Sequence, residues 1–147
     1  RLSMYKSPKV IISKLSKSLT AMADLKGEYA STNTTFIYEP IPNVSIELIA
    51  AIINSSTISY VYRSMFSGLN LLGSFQYQAP QIRLLPVPRS IETLDTSVVE
   101  ELVRSLCKQG VADDERDAIS KKIDEFVFKL YELSPDDIQI IQTSTSA

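Results

Sequence analysis

The side chains of this sequence best suited to chemistry are cations, amides and hydroxyls spread along its first 89 residues. Lys14 and Lys17 are interleaved with Ser13, Ser16 and Ser18. Such a grouping holds phosphate oxygens through charge and hydroxyl hydrogen bonds, and it equally suits a solvated loop. Gln76 and Gln78 flank Tyr77; on a strand, where side chains alternate between faces, both amides share one face. Gln is able to bond adenine at N6 and N7 together, with plain polar alternation as the competing reading. Asn70 has the same chemical reach. Arg63, read at a helix end, and Arg83, read inside a strand, could contact a phosphate or a guanine edge, or pair with an acid such as Glu39 or Glu47. Among the aromatic residues Tyr29 and Tyr77 lie beside polar loops and are the candidates for base contact. Phe36, Tyr60 and Phe75 are expected in the core.

Several chemistries are excluded. The chain contains no His, so neither a Ser-His-Asp nor a Cys-His constellation can form, and a zinc site would have only Cys107 and carboxylates to draw on. Gly68 and Gly73 are not followed by the Lys of a phosphate-binding loop. Asp113, Asp114, Glu115 and Asp117 could be imagined around a divalent metal, but carboxylates at a helix N-terminus complement its dipole, and that is the reading adopted. No catalytic residue, metal ligand or cofactor site is therefore assigned to this chain.

The charge is divided. Residues 1–89 carry nine Lys and Arg against four Asp and Glu, and residues 90–147 carry six against thirteen, for a net charge of −2. The basic part suits a polyanion; the acidic part suits packing or spacing.

The elements that must position these side chains predict an α+β fold: a small mixed or antiparallel sheet with packed helices, followed by a C-terminal helical segment. Two regions are expected, a recognition region over 1–92 and a helical segment over 93–147 that packs on it or on a neighbouring domain. Lys9 to Leu15 and Thr34 to Tyr38 read as strands, the second closed by Glu39-Pro40, with a polar loop around Lys26-Gly27-Glu28 between them. Ile46 to Met65 has a helical rhythm broken at Asn54-Ser55-Ser56, which predicts two short helices meeting at a kink. Gln81 to Leu85 reads as a strand ended by Pro86-Val87-Pro88.

In the acidic part Ser97 and Glu100 have the spacing of a capping box. A second helix is expected from about Asp114 to Tyr131, with Ile119, Ile123, Phe126, Val127 and Leu130 on its apolar stripe. A third, short helix starts behind Ser134-Pro135, and the final TSTSA is expected to fray.

A chain of 147 residues, 44% of them hydrophobic, buries enough surface to fold without staples. Cys107, the one cysteine, is expected to be a buried hydrophobe in a reducing compartment. No apolar run approaches the roughly 18 to 20 residues of a membrane span, and the N-terminus lacks a signal-peptide core, so a cytoplasmic location is expected. The start at Arg1 predicts a piece of a longer protein.

The order of segments carries a resemblance. PKVIISKLSKSLTA, GEYASTNTTFIYEP and LIAAIINSSTISYVYRSMFSGLNLLGSFQYQAPQIRLLPVP, followed by a helix and LYELSPDDIQII, resemble the TaqI-like C-terminal specificity domain over nearly the whole chain. The resemblance implies a double-stranded DNA target-recognition domain of an adenine-N6 methyltransferase or a fused restriction–modification enzyme. It implies that S-adenosylmethionine and the flipped adenine belong to a separate methyltransferase domain of the parent. The chain has no Asn-Pro-Pro-aromatic motif of the kind that grips that adenine. Two other readings stay open: a protein-interaction module whose C-terminal helices dimerise or dock a partner, and an enzyme that works without His.

Overall fold

The computed structural model describes residues 2–31, 34–37 and 43–145. A short helix, α1 (Leu2–Tyr5), leads into β1 (Lys9–Ser13), whose Val10 and Ile12 are wholly buried and whose Ile11 is nearly so. A strand apolar on both faces belongs in the middle of a sheet. β1 is indeed central: after the two-residue β2 (Leu15–Ser16), both β3 (Ala21–Asp24) and β4 (Thr34–Ile37) pair with it antiparallel, in the order β3-β1-β4. The predicted end of the second strand at Tyr38 and its Glu39-Pro40 stop lie outside the described residues, as does the end of the tail at Ser146 and Ala147.

The register sets Lys9 directly opposite Asp24, and their side chains form an ion pair with essentially no exposed surface. Lys9 Nζ also donates to the Tyr5 carbonyl at 2.9 Å. Asp24 accepts the backbone N–H of Glu28 at 2.9 Å and of Tyr29 at 3.0 Å. A buried charge is tolerable only when it is paired and its remaining lone pairs are filled, and here both conditions are met. The polar loop expected at Lys26-Gly27-Glu28 is thus tied down by its own sheet. Gly27 is required there: its φ is 69°, and a Cβ would lie 2.4 Å from the Lys6 carbonyl oxygen.

The helical rhythm of Ile46 to Met65 resolves as expected into α2 (Ile46–Asn54) and α3 (Ser56–Met65). Ser55 is both the last cap of α2 and the first cap of α3, its backbone extended and its hydroxyl oxygen accepting the Ile58 N–H at 3.2 Å. One serine ends one helix and starts the next, which places the kink. A 3₁₀ turn over Ser67–Leu69 leads into a hairpin, β5 (Asn70–Leu71) and β6 (Ser74–Gln76), and β2 pairs with the other edge of β6.

The strand expected at Gln81 to Leu85 does not form. Ala79–Ile82 is a single helical turn, α4, with Pro80 at its start and Arg83 as its last cap. Proline pre-sets the φ of a first helical turn, and a segment this short shows no periodicity to reveal itself.

The acidic part is helical, in α5 (Ser97–Leu106), α6 (Asp113–Leu130) and α7 (Pro135–Thr145). The capping box expected of Ser97 is replaced. Ser97 bonds to Asp95, Thr96 is the cap, and the Glu100 carboxylate accepts from the hydroxyls of Thr96 (2.9 Å) and of Ser45 (2.8 Å), the residue that caps α2. A capping box does form at α7: the Ser134 hydroxyl accepts the Asp137 N–H at 3.2 Å, and the Asp137 carboxylate accepts the Ser134 N–H at 3.0 Å. The helix continues through Thr145, so most of the tail expected to fray is ordered in it.

Val99, Val103, Ile119, Ile123, Val127 and Leu130 join Val10, Ile12, Leu48, Ile58 and Tyr62 in one core. The apolar stripe of α6 is therefore consumed within the chain. Cys107, expected inside, is an exposed residue at the end of α5, although its thiol donates to the Ala23 carbonyl at 3.6 Å. Among the described residues no helix is long and apolar enough to cross a membrane.

Candidate nucleic-acid interface

An open cleft of about 590 Å³ lies where the second sheet meets the helices. Its walls come from six parts of the chain: Lys17 and Ser18 after β2, Asn54 at the end of α2, Ser56, Ser59 and Arg63 on α3, Asn70, Gly73 and Phe75 on the hairpin, Asp124 on α6 and Thr145 on α7. Three residues read from the sequence as contact candidates, Lys17, Arg63 and Asn70, are brought together here. β2 runs antiparallel to β6 with Ser16 opposite Phe75, which sets the following Lys17 toward the hairpin turn. Arg63 Nε donates to the Ser59 carbonyl one turn earlier, at 3.2 Å. Its other expected role, pairing with Glu47, is taken by Arg104, whose Nε lies 2.9 Å from the Glu47 carboxylate. Glu39, the other acid considered, is outside the described residues.

The chemistry of the walls is that of an anion and amide site. Two cations, two carboxamides and several hydroxyls face one carboxylate, Asp124, which accepts the Ser56 N–H at 2.8 Å. Burial pushes the Asp124 carboxyl above the usual carboxylate range, with the Ser56 hydrogen bonds pulling the other way. Asn54 is held by a reciprocal pair with Ala21, accepting its N–H at 2.8 Å and donating to its carbonyl at 2.9 Å. Asn54 and Asp124 were not singled out from the sequence. Asn54 carries only the signal of a helix break, and Asp124 sits among alternating charges on α6 that give it no distinction.

The remaining candidates are elsewhere. Lys14 is exposed at the far end of β2, its carbonyl accepting the Tyr77 N–H at 2.8 Å. Gln76 ends β6 half-buried and the exposed Gln78 follows it; the Gln78 amide donates to the Gln76 side-chain oxygen at 3.2 Å, so the two act as one amide pair near Leu15. Arg83 is exposed at the end of α4, away from the cleft walls.

Tyr77 requires a correction. Its ring has no exposed surface and packs 4.7 Å from that of Tyr62, and burial pushes its hydroxyl up to about 12. A ring so enclosed fills the core and does not stack on bases. The Tyr62 hydroxyl donates to the Gln76 carbonyl at 2.6 Å, which anchors β6 on α3. Tyr29, the other aromatic candidate, is 53% exposed beside the Asp24 clamp. Phe75 is buried as expected, whereas the side chain of Phe36 lies outside the described residues.

The acids Asp113, Asp114 and Glu115 occupy the first turn of α6, where they complement its dipole. Among the described residues no group of three or more metal-ligating side chains comes together.

Comparison with known proteins gives one match and one blank. No curated protein matches the chain. Residues 1–87, which hold both sheets, α2, α3 and every wall of the cleft except Asp124 and Thr145, match the TaqI-like C-terminal specificity domain. Since the match spans more than half of the sequence, the chain belongs to the TaqI-like C-terminal specificity domain family.

Proposed function

We propose that the chain is the sequence-specific double-stranded DNA recognition domain of a restriction–modification enzyme, an adenine-N6 methyltransferase either alone or fused to an endonuclease. The observation that carries the proposal is the cleft, in which a region matching a specificity domain gathers Lys17, Arg63 and Asn70 on one side of the fold. Phosphate contacts from the two cations fix register without reading sequence; the amides of Asn70, Gln76 and Gln78 supply base-edge hydrogen bonds. The chain itself transfers nothing. S-adenosylmethionine and the reacting adenine belong to a methyltransferase domain of the parent, and the work is cytoplasmic.

Residues 1–92 act as the recognition region and residues 93–147 as a helical segment braced against it. Leu84, Val87, Leu94 and Val98 are exposed along the joining stretch, which suits contact with that methyltransferase domain. Repeated selection of bound duplexes from a randomised pool tests the proposal. A single enriched motif is expected; a pool that stays random through several rounds overturns it.

A further inference from the structure

The hairpin carries a leucine where its backbone favours asparagine or glycine. Its two-residue turn is Leu72–Gly73, with φ of 51° and 85°. Both values are left-handed, as in the turns whose twist matches paired strands, and the first such position ordinarily holds Asn, Asp or Gly. An L side chain with a Cβ is strained there.

Burial does not repay the strain. Leu72 is 101% exposed, Leu71 is 53% exposed, and nothing lies within 4 Å of where a Cβ on Gly73 would be. The tip projects clear of the fold. It is held firmly all the same, because the Asn70 side-chain oxygen accepts the Gly73 N–H at 3.0 Å across the turn. Asn70 and Gly73 line the same cleft as Lys17 and Arg63, so the turn that carries Leu72 borders a wall holding two cations.

A rigid turn that presents one solvated apolar side chain and borders a cleft holding two cations has the form of the wedges that enter between stacked base pairs. We infer that Leu72 inserts between two base pairs of the bound duplex, with Lys17 and Arg63 holding the phosphates beside the opened step. The inference rests on the reading of the chain as a duplex-binding domain. The occupant is nucleic acid because the cleft bordered by the turn holds Lys17 and Arg63, and because one leucine at the end of a two-residue turn covers far less than the roughly 800 Å² per partner of a stable protein interface. Pyrimidine–purine steps unstack most readily, so the wedge confers a preference for such a step without any hydrogen bond to a base.

The test uses the full chain and the duplex enriched by selection, with 2-aminopurine, which brightens on leaving the stack, replacing each adenine in turn. Wild type is expected to raise the fluorescence several-fold at one step. Leu72→Asn suits the left-handed backbone, so it should keep a thermal midpoint at or above that of wild type and yet lose the brightening, while Leu72→Phe keeps it. Binding without brightening at any step overturns the wedge and leaves duplex recognition standing, as does equal brightening by wild type and Leu72→Asn. A chain that binds no duplex overturns both.

Discussion

Asp124 on α6 accepts the backbone N–H of Ser56 at the start of α3, at 2.8 Å, and so places a carboxylate from the acidic part of the chain in the wall of the cleft formed by the basic part. At that position it satisfies an orphan donor of the helix and opposes its dipole favourably. It also sets a carboxylate in the same cleft as Lys17 and Arg63, the two cations proposed to hold phosphates.

Replacing Asp124 by Asn keeps an acceptor oxygen for Ser56 and removes the charge. Duplex binding near neutral pH is expected to tighten by about fivefold, from ~1 kcal/mol of relieved repulsion. The folded-state value of Asp124 is raised, so its contribution to stability is full below the unfolded value near ~3.9 and is lost as pH rises through the folded value. The variant should lack that dependence in thermal melts taken across the acid range. Unchanged affinity in a fluorescence-anisotropy titration would remove Asp124 from the interface.

The buried Lys9–Asp24 pair makes the opposite prediction for pH. Burial works to raise the Asp24 value, but the Lys9 hydrogen bond, the N–H groups of Glu28 and Tyr29 and the Lys9 charge outweigh it, and the net shift is downward. The stability it supplies is present above the unfolded value near ~3.9 and is lost as pH falls through the lower folded value. Lys9→Met strands a buried charge and should cost roughly 3–5 kcal/mol in urea unfolding near neutral pH. Adding Asp24→Asn should recover part of that loss. A double variant no more stable than Lys9→Met would mean that the charge is not what the lysine offsets.

Gln78 is exposed, Gln76 is half-buried, and the two are bonded to each other, so either one shapes the presentation of the other. If they read a base edge, Gln76→Ala should change preference at one base pair of the selected duplex by about 1–3 kcal/mol and leave the others unaffected. Competition binding with single-site variants of that duplex measures this. An equal loss on every duplex would make the pair structural.

Much of this architecture was legible in the residues. The Asn54-Ser55-Ser56 break, the apolar rhythm of α6 and the Ser134-Pro135 start each have a local cause that can be read from neighbouring positions. β3 was missed because Ala21-Met22-Ala23-Asp24 has little strand propensity and becomes a strand only through its pairing with β1. Lys9 was for the same reason invisible as a buried cation, since its partner lies across the sheet. Tyr77 was misplaced because alternation between two glutamines tells that one face is polar but not that the other is closed by Tyr62. The cleft was half legible: Lys17, Arg63 and Asn70 stood out by chemistry, whereas Asp124 and Thr145 reach it only through the packing of α6 and α7.

The most direct test of duplex recognition by this cleft is the salt dependence of binding for wild type and for Lys17→Ala/Arg63→Ala. Each lost phosphate contact lowers the slope of log K against log salt by about 0.9, so the double variant should bind all sequences more weakly with a slope shallower by roughly 1.8. A double variant that keeps the wild-type slope, or a wild-type chain that ignores duplex at low salt, would contradict the account.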